Sequence, residues 1–199
     1  MKNKYIAEFI GTFALSFIIL AAVSTVTPLP LPVAVLAGIT LGLFVYTIGG
    51  LSGAHLNPAV TIGLWSIKKI TSKDAIGYLL AQVFAAAVAI VIVRTLGMAA
   101  QEASTVAFGA PLFFAEALGA FFFTFGIAAV VHGRVTNALS GTVIGGSLVL
   151  GILIATLSGS AGIINPAVAF ALNSISFVYL VGPVAGAIVG FNAYRYLVK

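Results

Sequence analysis

Two Asn-Pro-Ala triplets carry the side chains of this sequence best suited to binding a small polar solute. They are Asn57-Pro58-Ala59 and Asn165-Pro166-Ala167. Asparagine is a preferred helix N-cap and proline fits the first helical turn, so each triplet predicts the start of a helix. The predicted helices cover about 58–66 and 166–173. A helix of about ten residues is about 15 Å long, which is half the thickness of a bilayer.

Two acidic residues, Glu8 and Glu116, lie within otherwise apolar stretches of the sequence. An ionisable residue in such a stretch is expensive to bury and is a candidate for function. A proton relay through them would need a chain of titratable partners, and the sequence offers few. A structural role for both carboxylates is therefore the favoured interpretation.

A single shift of 108 positions superimposes these features of the two halves. It aligns Glu8 with Glu116 and the first triplet with the second, and it needs no gap between them. Chance is a poor explanation for a match that includes both a buried acid and Asn-Pro-Ala. The sequence therefore predicts a tandem duplication, with repeats at 1–98 and 109–199 that together form one domain over 1–199.

The composition places these residues in a membrane protein. Of the 199 residues, 61% are hydrophobic and 7% are charged, whereas soluble domains are about 45–50% apolar and about 25% charged. Disordered chains are polar and poor in aromatic residues, so disorder is excluded as well. The absence of cysteine rules out disulfides and thiolate metal sites. We expect no metal and no cofactor, and no nucleophile–base–acid set indicates an enzyme.

Six apolar stretches are long enough to span a bilayer. They lie at about 5–26, 33–51, 75–97, 111–132, 140–158 and 177–197. Pro28, Pro30 and Pro32 separate the first two stretches. Three spans in each repeat require the second repeat to insert upside down, which places a site between the repeats near the midplane. We therefore predict an all-α integral membrane protein with six transmembrane helices and two re-entrant half-helices.

The basic residues predict the orientation of the chain. With a cytoplasmic N-terminus, eight basic residues face the cytoplasm and only Arg94 faces outward. The eight are Lys2, Lys4, Lys68, Lys69, Lys73, Arg134, Arg195 and Lys199. This bias predicts a multi-pass protein of the cell membrane with both termini in the cytoplasm. It also accounts for the net charge of +5 without a nucleic-acid partner.

The two half-helices are predicted to enter from opposite faces, with their N-termini meeting near the midplane. Each N-terminus carries about half a positive charge, so the pair repels cations, including hydronium. The amides of Asn57 and Asn165 donate hydrogen bonds to the oxygen atom of a passing solute, and free backbone carbonyls of the preceding loops accept hydrogen bonds from the solute. With apolar remaining walls, this arrangement suits a conduit for small neutral solutes within the lipid bilayer.

Residues 52–61, Ser-Gly-Ala-His-Leu-Asn-Pro-Ala-Val-Thr, resemble the first signature loop of the aquaporin and glycerol-facilitator family. Residues 7–13 are similar to its first helix, and Gln82 stands where its third helix carries a glutamine. The resemblance implies one pore per subunit and a homotetramer. It also implies that Glu8 and Glu116 accept hydrogen bonds from the re-entrant loops, and that the prolines and alanines of the triplets set the half-helix starts.

The sequence departs from the family pattern at the outer constriction. The arginine that usually follows the second triplet is replaced by Val168, and no aspartate follows it, so glycerol is not assigned by analogy. Counting without gaps places the constriction on four residues without charge or side-chain donor. They are Ala37, Leu153, Gly162 and Val168. Such a ring is either wide enough for solutes larger than water, or a hydrophobic collar that slows water by dewetting.

Three functions therefore compete. The first is a passive channel for water or small uncharged solutes. The second is a closed or nearly closed structural membrane protein of the same fold, which the apolar collar would explain. The third is a weakly cation-conducting pore, which the missing arginine would explain.

Overall fold

The computed structural model describes residues 3–25, 31–99 and 107–199, and within these ranges every regular element is helical. In chain order the α-helices are α1 Asn3–Ser24, α2 Val33–Ser52, α3 Pro58–Ser66, α4 Ser72–Thr95, α5 Ala110–Val131, α6 Ser140–Leu157, α7 Pro166–Ala171 and α8 Phe177–Leu197. All except α3 and α7 are long and apolar enough to cross a membrane. The predicted fold class is confirmed. Lys2, Pro28 and Pro30, used above for charge bias and span limits, lie outside the described residues.

Most helix ends lie within three residues of the prediction, and local hydrogen bonds explain two of the differences. Helix α4 begins at Ser72, three residues early, because the Thr71 side chain accepts a hydrogen bond from the Asp74 amide at 3.1 Å. Helix α7 ends two residues early, at Ala171. Asn173 adopts a left-handed φ of 55°, and the Ser174 amide donates to the Ala169 carbonyl at 2.9 Å, which closes the helix.

Glycines allow the long helices to approach closely. Where α2 crosses α6, Gly38 lies against Gly145 and Gly42 against Gly141. A Cβ atom on Gly38 or Gly42 would come within 2.7 Å of the carbonyl oxygen across the interface. The two backbones are therefore in direct contact, as small residues permit in membrane helices. Helix α8 approaches α5 in the same manner through Gly182, Gly186 and Gly190.

Each half-helix packs against the other repeat. Helix α3 contacts α8, and α7 contacts α4. Gly63 of α3 lies directly beneath the ring of Phe191 in α8, and a Cβ atom there would be 2.5 Å from that ring. This exchange draws both half-helices into the centre of the bundle. The first loop, residues 53–57, and the second loop, residues 158–165, therefore meet inside the protein.

Candidate pore site

The two loops hold their backbone in a conformation that most residues avoid. Ala54 and Leu56 of the first loop have φ values of 48° and 49°, and Ile164 of the second loop has a φ of 40°. A left-handed conformation costs a non-glycine residue roughly 1–2 kcal/mol. Such strain persists only where surrounding contacts determine the backbone. The contacts that do so come from the two buried acids.

The carboxylate of Glu8 accepts four hydrogen bonds. Two come from the first-loop amides of His55, at 2.9 Å, and Leu56, at 2.8 Å. The Ser52 hydroxyl donates at 2.7 Å and the Gln82 side-chain amide at 2.9 Å. Glu8 is completely buried, so these donors replace the water that its oxygen atoms have lost.

Glu116 makes the corresponding contacts with the second loop. It accepts hydrogen bonds from the amides of Ile163, at 3.0 Å, and Ile164, at 2.7 Å, and from the hydroxyl of Ser160, at 2.6 Å. Glu116 is also completely buried. Both acids are therefore committed to loop contacts. This arrangement favours loop support over proton relay.

Asn57 and Asn165 connect the two loops to each other. The side-chain oxygen of each caps its own half-helix. That of Asn57 accepts a hydrogen bond from the Ala59 amide at 2.8 Å, and that of Asn165 accepts one from the Ala167 amide at 3.0 Å. The side-chain nitrogen of Asn57 donates to the Ile164 carbonyl, and that of Asn165 to the Leu56 carbonyl, both at 3.0 Å. An asparagine amide has two N–H groups, so one on each side chain is left for a further acceptor.

The prolines and alanines of the triplets lie where the half-helices begin. Pro58 and Pro166 occupy the first helical positions, and Ala59 and Ala167 are the second residues of α3 and α7. Both alanines are at most 1% exposed. Ala167 packs with Leu20 and Ala86 in a hydrophobic cluster.

A cavity of about 580 Å³ opens on the side of the first loop. Its polar lining includes Gly53, Ala54 and His55 of that loop, with Lys69 and Asn137 nearer the mouth. Its apolar lining comes from α2, α3, α5 and α6: Leu41, Val45, Val60, Leu64, Ile127 and Ile144. One part of the cavity wall is therefore a strained polar loop, and the rest consists mainly of apolar side chains.

Three of the four residues predicted for the outer constriction are buried on the inner side of the bundle. Ala37 is fully buried and Val168 is 3% exposed, and both belong to one hydrophobic cluster with Ile163. Gly162 is buried with a φ of 67°, and a Cβ atom there would contact the Ile152 carbonyl at 2.8 Å. Only glycine fits this combination of backbone conformation and close approach.

The structure does not bring Leu153 to this group, which corrects the gap-free count. Leu153 is 45% exposed and follows Thr142, Gly146 and Val149 along one face of α6. Those three residues line a groove on the outer side of the α2–α6 pair, away from the cavity that Ile144 lines. Ile152 takes the inner position instead, packed against the hydrophobic cluster beside Gly162.

The two repeats also differ in register. Glu8 and Glu116 differ by 108 positions, but the crossing glycines differ by 103, since Gly38 and Gly42 correspond to Gly141 and Gly145 in their mutual packing. The second repeat therefore has extra residues between its helix crossing and its loop. On α6 itself, Leu153 follows Ile144 by nine positions, which at about 3.6 residues per turn places the two side chains on opposite faces of the helix.

Two further residues support the first loop but were missed by the sequence analysis. The Thr61 hydroxyl lies 3.1 Å from Nδ1 of His55 and accepts from the Gln82 side-chain amide at 3.0 Å. The Tyr78 hydroxyl donates to the Ser52 carbonyl at 2.7 Å, and its ring meets the His55 ring edge-on. The available signal was the spacing of Tyr78 and Gln82, four apart on one face of α4.

Comparisons with known proteins agree with this architecture. Residues 1–194 match the family Major intrinsic protein. Aquaporin AqpM of Methanothermobacter thermautotrophicus is 31% identical, with 99% of this chain and 98% of that protein covered. Glycerol uptake facilitator protein-like 6 of Lactiplantibacillus plantarum is 35% identical, with 94% of each chain covered.

A solved structure shares the fold. The X-ray structure of the aquaglyceroporin from Plasmodium falciparum superimposes with a TM-score of 0.75 at 24% identity, covering 98% of this chain and 96% of that one. The predicted resemblance is confirmed by the sequence comparisons together with this fold. The chain belongs to the major intrinsic protein family, whose members are membrane channels for water and small solutes and not enzymes.

Proposed function

We propose that water and small uncharged solutes cross this protein through one pore within each subunit, passing between the two loops at Asn57 and Asn165. The observation that carries this proposal is the reciprocal pair of hydrogen bonds between each asparagine and the opposite loop. These bonds fix both amides side by side and leave one N–H on each for a solute.

The half-helices supply the selectivity against ions. Their N-termini each carry about half a positive charge, and both point toward the centre of the bundle. The nearest acids, Glu8 and Glu116, are occupied by loop amides and hydroxyls, so they offer a cation no open carboxylate. A neutral solute accepts from the asparagine amides, whereas a cation loses its hydration and meets positive charge.

The constriction on the second-loop side selects by size and by the cost of removing hydration. We assign it to Ala37, Ile152, Gly162 and Val168, with Ile152 in place of Leu153. None of these side chains donates a hydrogen bond, so a solute passing them relies on the loop carbonyls. Ala37 and Gly162 are small, which leaves room for uncharged solutes larger than water.

The setting of this pore is also proposed. The distribution of basic residues supports an orientation with both termini in the cytoplasm of a cell-membrane protein. The family resemblance supports a homotetramer with a separate pore in each subunit. No coupling ion or energy source takes part, because transport is passive.

Stopped-flow light scattering of proteoliposomes tests the proposal. An impermeant osmolyte should shrink vesicles containing the protein faster than empty vesicles. Ile144→Trp places an indole into the cavity and should return shrinkage toward the rate of empty vesicles. Leu150→Trp, on the exposed side of the same helix, should leave the rate unchanged. Equal rates for the unmodified protein and empty vesicles, with water and with glycerol, would contradict the proposal.

A further inference from the structure

A second pocket lies outside the pore, where the chain turns from α3 into α4, and it encloses about 410 Å³. Its lining consists of Trp65, Ser66, Lys68, Ile70, Thr71 and Ser72. Trp65 is 49% exposed, and its indole N–H donates to the Ser72 hydroxyl at 3.0 Å. Tryptophan with its polar edge bonded and its ring exposed is typical of the boundary between membrane and water.

Positive charge surrounds this pocket. Lys68, Lys69 and Lys73 are exposed, and none has a carboxylate within 4.0 Å among the residues that the structure describes. The nearby carboxylate of Asp74 is held by Lys4 at 2.7 Å. The N-terminus of α4 adds its partial positive charge at Ser72. The pocket therefore attracts an anionic group.

An apolar surface continues from the pocket along α4. Ile76, Leu80 and Phe84 follow Ser72 at intervals of four residues, so they form one ridge that winds slowly around the helix, and they are 60%, 68% and 64% exposed. From Ser72 to Phe84 the helix rises about 18 Å, slightly more than half of a hydrocarbon core of about 30 Å. A ligand that follows this surface has a long apolar part.

We propose that this pocket and surface bind an anionic phospholipid. Its phosphate group lies at Lys68 and Ser72, its glycerol region lies against Trp65, and an acyl chain follows Ile76, Leu80 and Phe84. A free anion would satisfy the lysines but would leave the apolar surface without a ligand. The site adjoins the C-terminal end of α3, the half-helix that Asn57 caps, so the bound lipid holds the outer end of that half-helix.

The single tryptophan of the chain makes the site directly observable, because Trp65 is the only one. The full chain is reconstituted in bilayers of phosphatidylcholine and phosphatidylglycerol, with bromine on the acyl chains of one lipid or the other to quench Trp65 fluorescence. At equal mole fraction, brominated phosphatidylglycerol should quench more strongly. The expected preference is about fivefold, which corresponds to about 1 kcal/mol for one lysine at an anionic lipid.

Lysine variants separate this site from general attraction to the membrane surface. Lys68→Gln should remove the preference, Lys68→Arg should keep it, and Lys199→Gln, which changes a lysine that does not line the pocket, should also keep it. Equal quenching by both lipids in the unmodified protein would overturn the proposal. So would a preference that survives in Lys68→Gln but disappears in about 1 M salt, where the Debye length is about 3 Å.

Inorganic phosphate distinguishes a lipid from a free anion. Added to vesicles of phosphatidylcholine alone, it should leave Trp65 fluorescence unchanged. A spectral change there, together with loss of the preference for phosphatidylglycerol, would show that free phosphate occupies the pocket and would overturn the lipid assignment. The fluorescence measurement does not depend on solute flux, so its failure is distinct from failure of the proposed pore.

Discussion

The two re-entrant loops have similar backbones but are held in place by different means. At the first loop, Glu8 accepts from two loop amides, from Ser52 and from Gln82 of α4. At the second loop, Glu116 accepts from two loop amides and from Ser160, with no donor from α8 among the described residues. The first loop therefore depends more on side chains of its neighbouring helix.

The helix behind each loop explains this difference. Helix α4 presents Tyr78 and Gln82 to the first loop, whereas α8 presents Gly182, Gly186 and Gly190 to α5. A Cβ atom on Gly190 would come within 2.6 Å of a carbonyl oxygen of α5. A polar side-chain network supports one loop, and close backbone packing supports the other. Similar loop geometry does not require the same surrounding residues.

The largest effect is expected from removing either acid. Glu8→Ala leaves four buried donors without an acceptor, and Glu116→Ala leaves three. Each unsatisfied donor lowers the free energy of unfolding by about 1–3 kcal/mol. Both variants should lose osmotic flux and unfold at a lower temperature in detergent. The decrease in unfolding temperature should be larger for Glu8→Ala. A thermal shift for Glu116→Ala that equals or exceeds that of Glu8→Ala would break the comparison.

A smaller effect is expected where close packing replaces hydrogen bonds. Gly186→Ala places a methyl group against the Ala117 carbonyl oxygen and should destabilise the protein by about 1–3 kcal/mol. Gly146→Ala is the matched control, because no atom lies within 4 Å of a Cβ atom there. Thermal unfolding of both variants measures the difference. If the two variants unfold at equal temperatures, close α5–α8 packing does not stabilise the second repeat.

The smallest effect tests the polar network of the first loop. Thr61→Val keeps the shape of the side chain but removes the hydroxyl shared by His55 and Gln82, which should cost about 1–2 kcal/mol. Thr40→Val removes a hydroxyl that donates only to the Leu36 carbonyl of its own helix, so the unfolding midpoint of this variant should hardly change. Indistinguishable unfolding midpoints for the two valine variants would contradict a network that supports the loop.

The sequence predicted the helices well because their limits depend on local chemistry. Asn57 and Asn165 cap the short helices, and α8 covers 177–197 as predicted. The equivalent contacts of Glu8 and Glu116 follow from the shift of 108 positions. Leu153 was wrongly assigned to the inner face because counting along the sequence did not establish which face of α6 meets α2 in the packed protein.

The partners of Thr61 and Tyr78 could not be predicted for a similar reason. Each hydroxyl bonds a group that the chain brings close only when α3, α4 and the first loop are packed together. A hydroxyl within an apolar helix also often bonds its own backbone, as Thr40 does. Composition and spacing therefore did not distinguish the two cases.

The two loops also have different surroundings. The first-loop side opens into a cavity with a polar wall. On the second-loop side we propose a constriction at Ala37, Ile152 and Val168, whose side chains pack together and donate no hydrogen bond. In this proposal, size and loss of hydration control passage on the second-loop side. This claim is central, because it determines which solutes cross.

The most direct test is the ratio of glycerol to water permeability in proteoliposomes containing Val168→Arg, with Val168→Leu as the control of equal polarity. Arginine should narrow the constriction and add donors, so the ratio should fall about tenfold, equivalent to about 1.4 kcal/mol of barrier. The leucine variant should keep a ratio near that of the unmodified protein. An unchanged ratio in Val168→Arg, with water flux retained, would contradict the account.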